Sequence, residues 1–170
     1  MDKLVAIKKI AQDTRRWAMR NRHKVYVNNN LSGMCAIASG ELHRRLTKAG
    51  FDSTIALRDI EDDGHAFVIC EQMIIDVTAT QFSFMYVEKD GKWQLVEHKR
   101  KPVEITPLVP KDQRPTFWQE DAQYKTVDHL IDSQHNSGWP PDQIAWKTDS
   151  KNRFNWGLTI SSNRETMSSL

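Results

Sequence analysis

Three residues in the first half of the chain have the types and the order that nucleophilic thiol chemistry needs: Cys35 in "LSGMCAIASGELHRRL", His65 in "GHAFVIC" and Asp76 in "MIIDVTATQF". Cys35 falls in the first turn of a predicted helix, where backbone N–H groups have no intrahelical acceptor and favour negative charge. A thiolate is stabilised at such a position. The same N–H groups suit the oxyanion that develops on an attacked carbonyl. The competing reading of Cys35 taken alone is a buried small hydrophobe, the commonest fate of a free cysteine. His65 opens a strand just after Glu61, Asp62, Asp63 and Gly64. A neutral imidazole there can take the thiol proton and leave a thiolate–imidazolium pair.

Asp76 belongs to the strand that returns after His65. If Glu71 and Gln72 form a two-residue turn, Cys70 faces Met73, His65 faces Thr78, and Asp76 lies diagonal to His65. Diagonal neighbours in a hairpin are about 7–8 Å apart at the backbone, within reach of converging side chains. Strand parity puts Asp76 and His65 on one face. The demand is then legible: the carboxylate selects one imidazole tautomer, the imidazole activates the sulfur, and the helix N-terminus holds thiolate and oxyanion. The alternative for an aspartate inside "MIIDVTA" is a carboxylate satisfied by backbone hydrogen bonds at a strand bend.

The elements that must position these residues follow from periodicity. Leu4, Ile7, Ile10, Ala11, Trp17 and Ala18 recur at helical spacing and predict a first amphipathic helix over residues 3 to 20, with Arg15, Arg16 and Arg20 on its wet face. Cys35, Ala38, Leu42, Leu46 and Ala49 form the inward stripe of a second helix, closed by Gly50 at the C-cap. "FDSTIALRDI" predicts a strand. Residues 65 to 82 predict a hairpin that is apolar on both faces and so central in its sheet. "FMYVEKDGKWQLVEH" predicts another hairpin, turning at Asp90-Gly91. Helix, helix and sequential antiparallel strands make an α+β fold of one domain, with a core over about residues 1–100 and an extension over about 101–170 that packs on it or shapes a substrate cleft. All prolines lie in that extension. Within it, "TFWQEDAQYKTVDHLIDSQ" predicts a helix with Tyr124, Val127, Leu130 and Ile131 in register, while Trp118, Trp139, Trp146 and Trp156 cover the sheet or line a groove, core packing being the simpler role.

Composition bounds the function. With 39% hydrophobic and 27% charged residues, 170 residues suffice for one soluble globular core. A net charge of +2, with no block of Lys and Arg, argues against a nucleic-acid surface. No apolar run is long enough to span a membrane, and the N-terminal stretch lacks the apolar centre of a signal peptide, so the expected compartment is the cytoplasm. Two cysteines, Cys35 and Cys70, are too few for a four-cysteine zinc site and are not expected to pair in a reducing compartment. Cys70 has the opposite parity to His65 and reads as core. Zinc held by Cys35, His65 and Asp76 is the rival chemistry, but no compact ligand spacing supports it, and His43 reads as solvent-facing on the second helix.

"GMCAIAS…L…AGF" followed by "GHAFVICEQMIIDVTATQF" resembles the transglutaminase-like branch of papain-like thiol enzymes, in the form of small bacterial and phage members. The resemblance covers residues 25 to 85. It implies a cysteine at the start of a helix packed on an antiparallel sheet, with Cys35 as nucleophile, His65 as base and acid, and Asp76 as orienter. Phe67 stands where many members carry Trp, which affects packing more than chemistry. Members of the wider group place a polar side chain a few residues before the cysteine as a second oxyanion donor. Asn29 or Asn30 would fill that role, although "NNN" is equally a turn tract. Ser32 reads as a helix N-cap, Gln81 as a structural brace, and the acids from Asp59 to Asp63 as a solvated loop beside His65.

The expectation is a thiol-dependent hydrolase acting on a peptide, isopeptide or glutamine-type amide of a protein or peptide substrate, without a cofactor. A transglutaminase using an amine acceptor, or a non-catalytic binding module of the same fold, remains open beside it.

Overall fold

The computed structural model describes residues 2–21, 31, 34–58 and 64–130, and for Met85 the backbone alone. Two helices come first, α1 (Lys3–Asn21) and α2 (Cys35–Lys48). Seven strands follow: β1 (Ser53–Arg58), β2 (His65–Cys70), β3 (Met73–Asp76), β4 (Phe84–Lys89), β5 (Lys92–Glu97), β6 (Glu104–Pro107) and β7 (Ala122–Tyr124). The main sheet has the order β6-β3-β2-β1-β7 and is antiparallel throughout, while β4 and β5 form a separate two-stranded sheet. The fold is therefore α+β, with the N-terminal helices packed on an antiparallel sheet.

The strand that opens with His65 lies at the centre of the main sheet, as its two apolar faces require. One face meets the helices: Ala66, Val68, Cys70 and Ile75 pack with Ile7, Ala11, Leu42 and Leu46. The other face carries Phe67 and Ile74, covered by Ala79, Phe117 and Trp118. Neither face can remain open, because each fully buried large aliphatic or aromatic side chain stabilises the fold by roughly 1.5–3 kcal/mol relative to exposure.

Three local devices set the geometry. The end of α2 is fixed by Gly50, whose φ of 89° is open to glycine at little cost. Gly50 N–H donates to Thr47 O at 3.0 Å and Phe51 N–H to Leu46 O at 3.0 Å, which turns the chain back toward β1. The β2–β3 turn uses Glu71 and Gln72, both left-handed at φ 51° and 62°. Such a turn follows the right-handed twist of its strands, and it places Cys70 opposite Met73 as the two-residue loop predicts. The β4–β5 turn does the same with Asp90 and Gly91.

The stretch beyond residue 100 supplies both edges of the main sheet, since β6 pairs with β3 and β7 with β1. The helix predicted across residues 116 to 134 is not formed at its start. Thr116–Trp118 is a single 3-10 turn after Pro115, and Ala122–Tyr124 is strand β7. Helix begins only at residue 127, where the Thr126 hydroxyl accepts from His129 N–H and Leu130 enters the core. Pairing with the exposed edge of β1 outweighs the weak helical pattern of that stretch. Two surface assignments also change. Arg15 is buried and donates from Nη1 to Val77 O at 2.9 Å and Thr80 Oγ1 at 3.0 Å. His43 is buried between Ser53 Oγ (2.7 Å) and Lys125 O (2.8 Å), and burial lowers its pKa. Among the described residues no helix is long and apolar enough to cross a membrane.

Candidate active site

Cys35 is the first residue of α2, with Met34 as its N-cap and no side-chain cap. Met34 N–H donates to Leu31 O at 3.0 Å, and Ala38 N–H donates to Met34 O at 2.8 Å. The backbone N–H groups of the first turn thus point out of the helix end on which the thiol sits. Met34 and Leu31 are fully buried, which anchors this end. One turn later Ser39 Oγ donates to Ala66 O at 2.9 Å, tying the start of α2 to the start of β2. Cys35 is thereby held beside His65 and the Ala66 backbone, both of which act on the thiol. Cys35 is half-buried as a residue although its thiol is desolvated, and His65 and Asp76 are buried.

His65 Nε2 lies 2.7 Å from Asp76 Oδ2. The diagonal relation expected for these residues is therefore realised, and the register supports it, because Val68 faces Ile75 and Cys70 faces Met73. The opposite ring nitrogen, Nδ1, receives the Gln81 side-chain amide at 3.1 Å. With Nε2 engaged by the carboxylate and Nδ1 by the Gln81 amide, both ring nitrogens have a partner beside the thiol.

All acceptor positions of the Asp76 carboxylate are directed. Oδ1 accepts from Thr78 N–H at 2.8 Å and from Thr78 Oγ1 at 3.2 Å, while Oδ2 accepts from Trp118 Nε1–H at 2.8 Å besides His65. A buried carboxylate is costly unless it is paired and hydrogen-bonded in this way. Aromatic rings close the site. Phe82 meets the His65 ring edge-on at 4.6 Å, and Phe82 and Phe117 stack at 4.3 Å. The Arg100 guanidinium lies 4.9 Å over Phe117.

The electrostatics agree with this geometry. Burial pushes the Cys35 thiol up, but the hydrogen bond and charge of His65 together with the Ala66 N–H outweigh it, and the net shift is downward. Burial alone would lower His65, yet the Asp76 charge and hydrogen bond and the contact with Cys35 raise it to about 9. Burial likewise raises Asp76, and His65, Trp118 and Thr78 bring it below its ordinary value. A thiol shifted down beside an imidazole shifted up favours thiolate and imidazolium together, with the ionised carboxylate behind them. Cys70 shows the contrast: burial, with Glu71 and Asp52 nearby, lifts its thiol to about 12, so it stays protonated at neutral pH.

Of the residues singled out in the sequence, Cys35, His65 and Asp76 come together. Asn29, Asn30 and Ser32, and the acidic stretch Asp59 and Glu61 to Asp63, lie outside the described residues. Gln81 is drawn into the site, although it also braces the loop by donating to Thr78 Oγ1 at 3.1 Å. Thr78 was legible: an aspartate two positions before a residue with a free N–H is the pattern of an Asx turn. Trp118 was not, because it reaches Asp76 across 42 positions of sequence. It arrives through tertiary contacts, with Arg58 Nη1 donating to Thr116 O and Asp121 N–H to Leu57 O at 2.9 Å.

This geometry defines a thiol–imidazole–carboxylate site on an α+β scaffold. Compared with protein-family models, with curated proteins and with solved structures, the chain finds no match.

Proposed function

We propose that the chain is a thiol-dependent hydrolase with a papain-like core of the transglutaminase-like kind, cleaving a peptide, isopeptide or glutamine-type amide. One observation carries the reading: His65 pairs with Asp76 at 2.7 Å and lies beside Cys35, and the thiol is displaced downward while the imidazole is displaced upward. In the first step the Cys35 thiolate attacks the amide carbonyl carbon. Outward N–H groups at the start of α2 suit the resulting oxyanion. The C–N bond then breaks as His65 delivers its proton to the leaving nitrogen, which leaves a thioester on Cys35 and a neutral imidazole. Water, losing its proton to His65, attacks the thioester and releases the carboxylic acid and the thiolate. Asp76 stays ionised, holding the ring tautomer and balancing the imidazolium.

The test is iodoacetamide alkylation followed across pH, with the modified cysteine located by mass spectrometry. Cys35 should react rapidly near pH 6, well below the range of an ordinary thiol of pKa about 8.5. The reaction should persist in Cys70→Ser and be lost in His65→Ala. An ordinary thiol profile in all three proteins would sink the catalytic reading. A panel of peptide and glutaminyl amides, with and without a primary amine, then separates hydrolysis from acyl transfer. The burial of His65 beneath Phe82 and Phe117 favours one second reading, a binding module that uses this fold without turnover. A reactive Cys35 that never forms a thioester with any member of the panel would support it.

A further inference from the structure

The β4–β5 hairpin leaves the main sheet directly after the site. Gln81 and Phe82 touch His65, Ser83 O accepts from His98 N–H at 2.7 Å, and β4 begins at Phe84. The register places Phe84 opposite Glu97, Tyr86 opposite Leu95 and Glu88 opposite Trp93, so these six share one face. Its four large apolar members are mostly open to solvent: Phe84 61%, Tyr86 69%, Trp93 69% and Leu95 56%. A strand needs one covered face, and here the half-buried Val87 and Val96 lie on the other side. An aromatic cluster that no described residue covers calls for an occupant.

Area and charge narrow that occupant. Four side chains of this size and exposure present roughly 500 Å², short of the ~800 Å² per partner that a standard protein–protein interface buries. A peptide segment fits this area better than a second folded copy. The six-residue β4 offers a platform about 20 Å long. Glu88 stands toward one end of the apolar face and Glu97 toward the other, and neither forms an ion pair with a described residue. The Tyr86 and Trp93 rings between them attract cations through their faces.

We propose that this face docks an extended peptide segment in which lysine or arginine alternates with aliphatic side chains. The segment belongs to the substrate of the adjoining thiol site; that assignment rests on the hydrolase reading, whereas the docking does not.

The test titrates the full chain with a capped six-residue peptide of alternating lysine and leucine, matched in length to β4, by calorimetry and tryptophan fluorescence. A glutamate–leucine peptide serves as control. The lysine–leucine peptide should bind and the control should not. Trp93→Ala should weaken binding about tenfold, and the double variant Glu88→Gln with Glu97→Gln should weaken it and flatten its salt dependence. Cys35→Ser should bind as the wild type does. No binding up to about 1 mM, equal binding of the control, or indifference to Trp93→Ala would each overturn the docking. So would a dimer that Trp93→Ala dissociates, since a second copy would then be the occupant. Peptide binding with an inert Cys35 would remove the hydrolase reading alone.

Discussion

Replacing Trp118 by Phe removes one N–H and keeps an aromatic ring on Phe117. In the wild type that N–H reaches Asp76 Oδ2 at 2.8 Å, on the same oxygen that meets His65 Nε2 at 2.7 Å. A hydrogen bond to a charged acceptor contributes about 1.5–3 kcal/mol, and the smaller ring adds a cavity cost of order 1 kcal/mol. The total loss at pH 7 should be about 2–4 kcal/mol, read from urea unfolding. The two parts are separable because only one titrates. The pKa of Asp76 is depressed in the folded state, with burial opposing and His65, Trp118 and Thr78 prevailing. Its contribution is therefore present above the unfolded carboxyl pKa and is lost as pH falls through the lower folded value. Without the Trp118 donor the folded pKa rises toward the ordinary one. The carboxyl-carbon NMR titration of Asp76 should move up, and the stability difference should shrink in acid toward the cavity cost. A stability change under 0.5 kcal/mol at pH 7, or an unmoved Asp76 titration, would refute the argument that Trp118 holds the carboxylate charge.

Three further outcomes follow from single contacts. Arg15→Met strips the donors from Val77 O and Thr80 Oγ1 in the segment that follows Asp76; urea unfolding should show a loss of about 1–3 kcal/mol, and an unchanged midpoint would return Arg15 to the surface. The Gln81 amide donates to His65 Nδ1 and so favours the unprotonated ring. In Gln81→Leu the His65 titration, read by imidazole proton NMR, should rise by up to about 1 unit; a fall would show that the amide carbonyl faces the ring instead. Gln72→Gly relieves a left-handed side-chain residue at φ 62°; thermal unfolding should report a gain of about 0.5–1 kcal/mol, and a loss would mean that the Gln72 side chain stabilises the turn.

Much of the scaffold was legible from local pattern. Both helices, the Gly50 cap, the central hairpin and the Asp90-Gly91 turn depend on periodicities and turn chemistry that neighbouring residues specify by themselves. The pairing of His65 with Asp76 was legible for the same reason, because a two-residue turn leaves strand parity no freedom. Arg15 and His43 were misread as exposed, since a polar residue on a helix says nothing of which carbonyl awaits it. The region after residue 100 was harder still. Its strands are four and three residues long, too short to carry a period, and their conformation comes from the edges they cover.

The sequence by itself determined the identity and order of Cys35, His65 and Asp76, the helix end that carries the first and the hairpin that carries the other two. These are short-range facts, set by steric preference and spacing. Tertiary structure alone decided that Ser39 docks the start of α2 on Ala66, that Trp118 completes the carboxylate shell, and that Phe82 and Phe117 shut the imidazole from water. Those contacts join segments far apart in the chain. Their stability comes from burying the whole assembly at once, which no local window of sequence contains.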